Sequence, residues 1–213
     1  MPRGFWKGLL KVLAFFAVIG GIAIAVLRVW FVDVVTVRHN GMAPTMILGD
    51  RVLVWRDARL ERDDIALCRH PQDDPARWVI GRVAVMPGGE IAAERGQLRL
   101  GRDRVTHDVR GQVRFTDGET RHTFTMSWGT EEFDDYEEHL FFDRADRPFA
   151  LRAMTRINGL YLLGDNRAHL GEDSRTFGPV QASGCRGEVF MRLTAAEGGL
   201  PDEIPHGALD ILD

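Results

Sequence analysis

Gly41-Met42-Ala43-Pro44-Thr45-Met46-Ile47-Leu48-Gly49-Asp50-Arg51-Val52-Leu53-Val54 passes from turn-forming residues into a short apolar run. Gly-Asp closes a turn, and Val and Leu next to it suit a strand. The same alternation of turn signal and short apolar run recurs down the chain. It predicts strands over 34–37, 51–55, 65–68, 78–85, 91–93, 97–100, 121–126, 159–163 and 187–193. Turns are marked by Pro87-Gly88-Gly89, Arg95-Gly96 and Asp117-Gly118. No long stretch after residue 33 has helical period. The expected fold is therefore mainly β, one antiparallel domain closed as a barrel or sandwich.

The segment at about 102–150 differs in composition from the rest. Glu131, Glu132, Asp134, Asp135, Glu137 and Glu138 gather around Phe133 and Tyr136. Such a cluster reads as a solvated surface, with a docking face for a basic partner as the sharper alternative. Residues 194–213 read as a polar, acidic, mobile tail.

Upstream of the β-rich part, Val12 to Leu27 is an unbroken apolar run, and Val29 to Val32 continues it past Arg28. With Leu9 and Leu10 it reaches the roughly 20 residues that a membrane-crossing helix needs. Trp6 and Trp30 suit the interfacial belts, and Lys11 and Arg28 suit snorkelling ends. Arg3, Lys7 and Lys11 precede the run, and no acid occurs before Asp33. The positive-inside rule then places the N-terminus in the cytoplasm and the rest outside. A cleaved signal peptide is the alternative, since Ala23 and Ala25 form a small-x-small pattern. The apolar stretch outruns a usual signal core, so a retained anchor is preferred. The expected organisation is a cytoplasmic segment and anchor at 1–32, a periplasmic β domain at 33–193 and the tail at 194–213.

The first 32 residues carry four bases and no acid, while the whole chain is −4, so the remainder is −8. That sign excludes a nucleic-acid surface. Cys68 and Cys185 are the two cysteines. In an oxidising compartment they form either a bridge or two separate buried thiols. The seven histidines are scattered without ligand spacing, so neither a metal nor a cofactor is expected.

Four segments follow the apolar run in order. They are Gly41-Met42-Ala43-Pro44-Thr45-Met46 with Gly49-Asp50; Asp64-Ile65-Ala66-Leu67; Val79-Ile80-Gly81-Arg82-Val83 with Pro87-Gly88; and Gly164-Asp165-Asn166-Arg167 with Asp173-Ser174-Arg175 and Gly178. Together they resemble the type I signal peptidase family, whose members cut signal peptides from exported proteins. The family pattern is Ser-Met-x-Pro-Thr, Gly-Asp, a Lys-Arg pair before Pro-Gly, and Gly-Asp-Asn to Asp-Ser-Arg. The resemblance implies a single N-terminal membrane helix and a β domain at the outer face of the bacterial inner membrane.

The family's chemistry needs a serine nucleophile and a lysine that burial keeps unprotonated. The nucleophile position here is Gly41, and the lysine position is Gly81. Lys7 and Lys11 are the only lysines in the chain, both in the expected cytoplasmic segment. His39 stands where many members carry an oxyanion-holding serine. The span Ala168-His169-Leu170-Gly171-Glu172 is one residue longer than the family's and lacks the serine that orients the lysine. Losing either half of such a unit costs about a millionfold in rate.

What the resemblance leaves is the peptide cleft, with Val37, Met42, Met46 and Ile80 at its apolar wall positions. Asp165, Asp173 and Arg175 read as structural, the last two as an ion pair. The expectation is a catalytically inactive homologue that binds another membrane or exported protein, or an extended peptide, as a subunit or assembly factor. The alternative is an active peptidase with displaced groups drawn from His39, Ser174 and Thr176.

Overall fold

The computed structural model describes residues 3–72, 77–94, 97–118, 120–133, 136–142, 151–169, 171–197, 200 and 204–212, with backbone alone for 3–5, 7–9, 27–29, 133 and 136–139. The expected acidic pair Asp134 and Asp135, and residues 143–150 of the insert, lie outside the described residues.

The chain begins with helix α1, Arg3–Trp30. Its described apolar side chains, among them Leu13, Phe16, Ile19 and Ile24, are exposed all round. A membrane span was expected here, yet among the described residues no helix is long and apolar enough to cross a membrane.

Among the described residues thirteen antiparallel strands follow: β1 Val32–Thr36, β2 Arg51–Arg56, β3 Ile65–Arg69, β4 Trp78–Val85, β5 Ile91–Glu94, β6 Gln97–Leu100, β7 Asp103–Arg104, β8 Thr106–Thr116, β9 Thr123–Phe133, β10 Tyr136–Phe142, β11 Tyr161–Leu163, β12 Cys185–Thr194 and β13 Asp210–Ile211. A short α-helix, α2 Ser174–Phe177, is capped by the Asp173 carboxylate. The mainly β, antiparallel class read from the alternating runs is the fold observed. The main sheet has seven strands in the order β1-β2-β12-β3-β4-β11, with β13 added to β12. Two three-stranded sheets, β10-β9-β8 and β5-β6-β7, complete the body.

Strand β2 shows how patterning acts. Val52 and Val54 point into the core, while Arg51 and Trp55 point out. Strand β4 is buried on both faces for almost its whole length, which suits its near-continuous apolar run. Where α1 meets the sheet, Asp33 is clamped by Arg56 and Arg186. Those hydrogen bonds hold its carboxyl below the usual carboxylate range, led by the one from Arg56. Phe31, Trp55 and Phe190 stack beside this junction.

Three features depart from the sequence reading. Strands β8 and β10 were not foreseen; in β8, His107, Asp108, Arg110 and Arg114 interrupt any apolar run. Glu131 belongs to no solvated surface: it is 3% exposed, and both its partner atoms come from Arg167. The tail is docked rather than mobile where it is described, with Ile204 and Leu212 buried and β13 in the sheet.

Cys68 and Cys185 form a disulfide across the β3–β12 pair, where they face each other in register. Sequence left this pairing open; strand adjacency decides it.

Candidate functional site

Segments far apart in sequence meet at one place. Gly41 C=O accepts the Asn166 N–H at 3.0 Å, and Asn166 Nδ2 donates to Asn40 O at 3.1 Å. Gly164 permits this approach, since a Cβ there would stand 2.3 Å from the Gly41 carbonyl oxygen. The first and fourth motifs are thus bonded through their main chains.

A second junction ties in the others. Arg82 is buried and donates from Nε and Nη2 to Asp165 at 3.2 and 3.1 Å. Its Nη1 donates to Asp63 O at 3.0 Å. Asp165, fully buried, also accepts the Thr45 hydroxyl at 2.6 Å. Thr45 belongs to the first motif, Arg82 to the third and Asp165 to the fourth, while Asp63 flanks the second. A buried fork-to-carboxylate pair of this kind holds geometry because both charges are satisfied. Asp63 is raised above the usual carboxylate range by burial, against the pull of Arg82.

Asp173 and Arg175 pair as expected from their spacing, with Arg175 Nε 2.8 Å from Asp173 Oδ2. Asp173 Oδ2 also accepts the Gly164 N–H at 3.1 Å. Arg175 reaches on to the carbonyls of Arg167 and His169. The lengthened loop is therefore stitched from inside. Beside it, Arg167 and Glu131 form a second buried pair, and burial raises the Glu131 carboxyl despite Arg167. Asp63, Arg82, Ala84, Leu98, Glu131, Leu163 and Arg167 line a cavity of about 20 Å³, room for one water. Sequence reasoning missed Glu131, Arg167 and Arg82 as a network. The one available signal was the Asn-Arg of the fourth motif.

Around Gly41 the vacated space is filled. The Gly41 N–H donates to His39 Nδ1 at 3.2 Å, and His39 Nε2 stands 3.8 Å from Glu172 Oε2. Glu172 is held in turn by Arg77 at 2.6 Å. A Cβ on Gly41 would lie 3.0 Å from His39 Nδ1 and 3.1 Å from Glu172 Cβ. Burial lowers the His39 pKa, and Glu172 opposes that shift. His39 is itself buried. Glu172, the last residue of the lengthened span, went unnoticed in the sequence.

Gly81 lies in β4 opposite Ala66. A Cβ there would sit 2.9 Å from Leu162 Cβ, on the root of a side chain that is itself buried. No side chain enters this position without moving β4 or β11. The hydroxyls of the fourth motif are engaged elsewhere: Ser174 Oγ accepts the Leu162 N–H at 2.9 Å, and Thr176 Oγ1 accepts the Gly171 N–H at 3.1 Å.

Val37, Met42, Met46 and Ile80 do come together, in one cluster with Val52, Val54, Ile65, Leu67, Val189 and Leu212. Each of the four is 4% exposed or less. They form a closed core here instead of the wall of an open groove. Among the described residues no group of His, Cys, Asp and Glu is arranged to hold a metal.

The family model described as signal peptidase, peptidase S26, matches residues 9–194. Among curated proteins, the chain is similar to a signal peptidase I of Streptococcus pneumoniae serotype 4, with 26% identity over 182 residues, covering 80% of this chain and 86% of that protein. The matched span runs from α1 through β12 and takes in all four motifs and both junctions. The chain belongs to the signal peptidase family, peptidase S26.

Proposed function

We propose that this chain is a catalytically inactive signal-peptidase homologue that works as a membrane-anchored binding or accessory protein. It serves as a subunit or assembly factor of a bacterial inner-membrane complex, with another membrane or exported protein as partner. The observation that carries this reading is the pair of glycines at the nucleophile and lysine positions, Gly41 and Gly81, with neighbours packed into both vacated spaces. A serine at Gly41 competes with His39 and Glu172, and a lysine at Gly81 competes with Leu162. The frame around them, from Thr45 to Arg82 to Asp165, is kept. A frame retained without its reactive groups serves recognition better than chemistry.

Anchoring by α1 fits the same reading. Its apolar side chains, among them Leu13, Phe16, Ile19 and Ile24, are exposed, and a lipid environment removes that exposure. The basic residues before it favour a cytoplasmic N-terminus and a periplasmic β domain.

The test is direct. The purified full chain, in detergent micelles, is incubated with a signal-peptide substrate beside a blank preparation. No cleavage above the blank is expected, and cleavage above it overturns the reading. Recovery of the intact membrane form with a stable partner then defines the accessory role.

A second reading, an active peptidase with displaced groups, draws on the His39–Glu172 pair. Such a pair resembles the base and orienting acid of a hydrolase. It predicts labelling of the chain by a serine-reactive probe at a position other than Gly41.

A further inference from the structure

Strand β12 has two edges. Strand β2 covers one from Gly187 opposite Arg56 to Thr194 opposite Arg51. Strand β3 covers the other from Cys185 to Glu188. Beyond that point the second edge is taken by β13, which places Ile211 opposite Met191 and Asp210 opposite Arg192. The chain adds its own late segment to a strand edge that is otherwise free, the geometry by which sheets accept extended peptides.

Side chains alternate along this added strand. Leu209 and Ile211 point outward and are 69% and 64% exposed. Leu212 points inward and is buried in the cluster that holds Val37, Met42, Met46 and Ile80. Its N–H donates to Phe190 O at 3.0 Å. Asp210 meets Arg192, Nη1 to Oδ2 at 3.1 Å, and the same Nη1 donates to Gly207 O at 2.8 Å.

Arg192 is the decisive residue. Its side chain is only 2% exposed, and it reaches Asp50, the Thr45 carbonyl and the 207–210 segment together. A buried guanidinium needs acceptors. Asp50 and Thr45 belong to the turn segment before β2, while Gly207 and Asp210 arrive with the added strand. The site thus reads three features of whatever lies on the edge: a carboxylate, a main-chain carbonyl before it, and a leucine two residues after it. The strand that now supplies them pairs over only two residues. An element so briefly paired, with half its side chains in solvent, opens at far less cost than the core strands beside it.

We propose that this edge of β12, with Arg192 and the Leu212 pocket, is a peptide-binding site for an extended segment of another polypeptide carrying an acidic residue followed two positions later by leucine. Residues 206–212 occupy it in cis and yield to such a segment. The proposal rests on the reading of this chain as a binding protein and names the surface that binds. Displacing residues 206–212 also uncovers the closed apolar cluster that the family resemblance assigned to a peptide.

The probe is a fluorescent synthetic peptide with the sequence of residues 206–213, and the protein is the full chain in detergent micelles. A tethered occupant acts at an effective concentration on the order of millimolar. The full chain carrying Asp210→Ala and Leu212→Ala, which weaken that occupant, is expected to bind the probe at least tenfold tighter than the unaltered chain. Adding Arg192→Met to that variant is expected to weaken binding at least tenfold. Failure of the doubly altered chain to bind, with its circular dichroism unchanged and its unfolding still cooperative, overturns the proposal.

A second measurement needs no substitution. Hydrogen exchange at the Leu212 amide of the unaltered chain is expected to speed up in millimolar peptide, while amides between β2 and β12 stay protected. Unchanged Leu212 exchange at saturating peptide overturns the proposal as well. Neither result touches the cleavage test: cleavage of a signal peptide sinks the inactive reading and leaves strand exchange standing, and a silent titration does the reverse.

Discussion

Adding a single methyl group at Gly81 tests whether the lysine position has closed. The Cβ of Gly81→Ala would stand 2.9 Å from Leu162 Cβ. Carbon atoms in contact prefer about 3.5–4.0 Å, so the shortfall is about 0.6–1.1 Å. Neither side yields easily. Gly81 is held in β4 against Ala66, and Leu162 is held in β11 opposite Val83. Overpacking of this kind costs about 1–3 kcal/mol. Replacing glycine inside a strand returns roughly 0.5–1 kcal/mol. The expected balance is a loss of about 1 kcal/mol, which lowers the thermal midpoint by about 2–4 °C in a chain of this size. Leu162→Ala alone removes a buried side chain and costs about 2–5 kcal/mol. Combined, the two changes relieve each other, because the new methyl occupies space that the lost leucine leaves. A double-mutant cycle by thermal or urea unfolding is expected to give a favourable coupling of about 1–2 kcal/mol. A Gly81→Ala chain as stable as the wild type, or coupling near zero, would refute the steric argument. Restoring serine at Gly41 and lysine at Gly81 would then become the informative experiment. If the argument holds, that restoration fails to recover cleavage unless Leu162 is shortened too.

Other outcomes follow from the same geometry. Asp165→Asn or Arg82→Met breaks a fully buried pair and is expected to lower stability by about 3–5 kcal/mol in urea unfolding; a loss below 1 kcal/mol would mean that the junction is not what joins the motifs. The Cys68–Cys185 bridge closes a loop of 117 residues, so its removal as Cys68→Ala with Cys185→Ala is expected to cost about 2–5 kcal/mol, and thiol titration of the unfolded, unreduced chain should find no free thiol. Burial depresses the His39 pKa in the folded state below its ordinary value near 6.5, so its contribution to stability is complete above that value and is lost as pH falls toward the folded pKa. The thermal midpoint of the wild type should therefore fall more steeply than that of His39→Gln as pH drops below about 6.5, and parallel slopes would contradict the assignment.

Much of the architecture was legible because it is local. Val52 and Val54 alternate with Arg51 and Trp55, and that period of two is readable from four residues. Strands β2 to β6 lie where turn signals bracket apolar runs. Strand β8 escaped notice because His107, Asp108, Arg110 and Arg114 interrupt any such run; it is a strand through its ladder with β9. Strand β13 was illegible for the opposite reason, being two residues long and stabilised by a buried Arg192 from another element.

The amino-acid order alone determined the family frame, the β class and the absence of serine and lysine at Gly41 and Gly81, since each is a property of residue types at given positions. It determined nothing about what replaced them. That His39 and Glu172 fill the space at Gly41, that Leu162 closes on Gly81, that Glu131 is buried against Arg167 and that Cys68 meets Cys185 were decided by tertiary structure. The reason is distance along the chain. Gly81 and Leu162 are far apart in sequence, as are His39 and Glu172, and only strand order and register bring such pairs together. The docking of residues 206–212 belongs to the same class: its sequence is polar enough to read as a tail, and only the free edge of β12 and the buried Arg192 make it a strand.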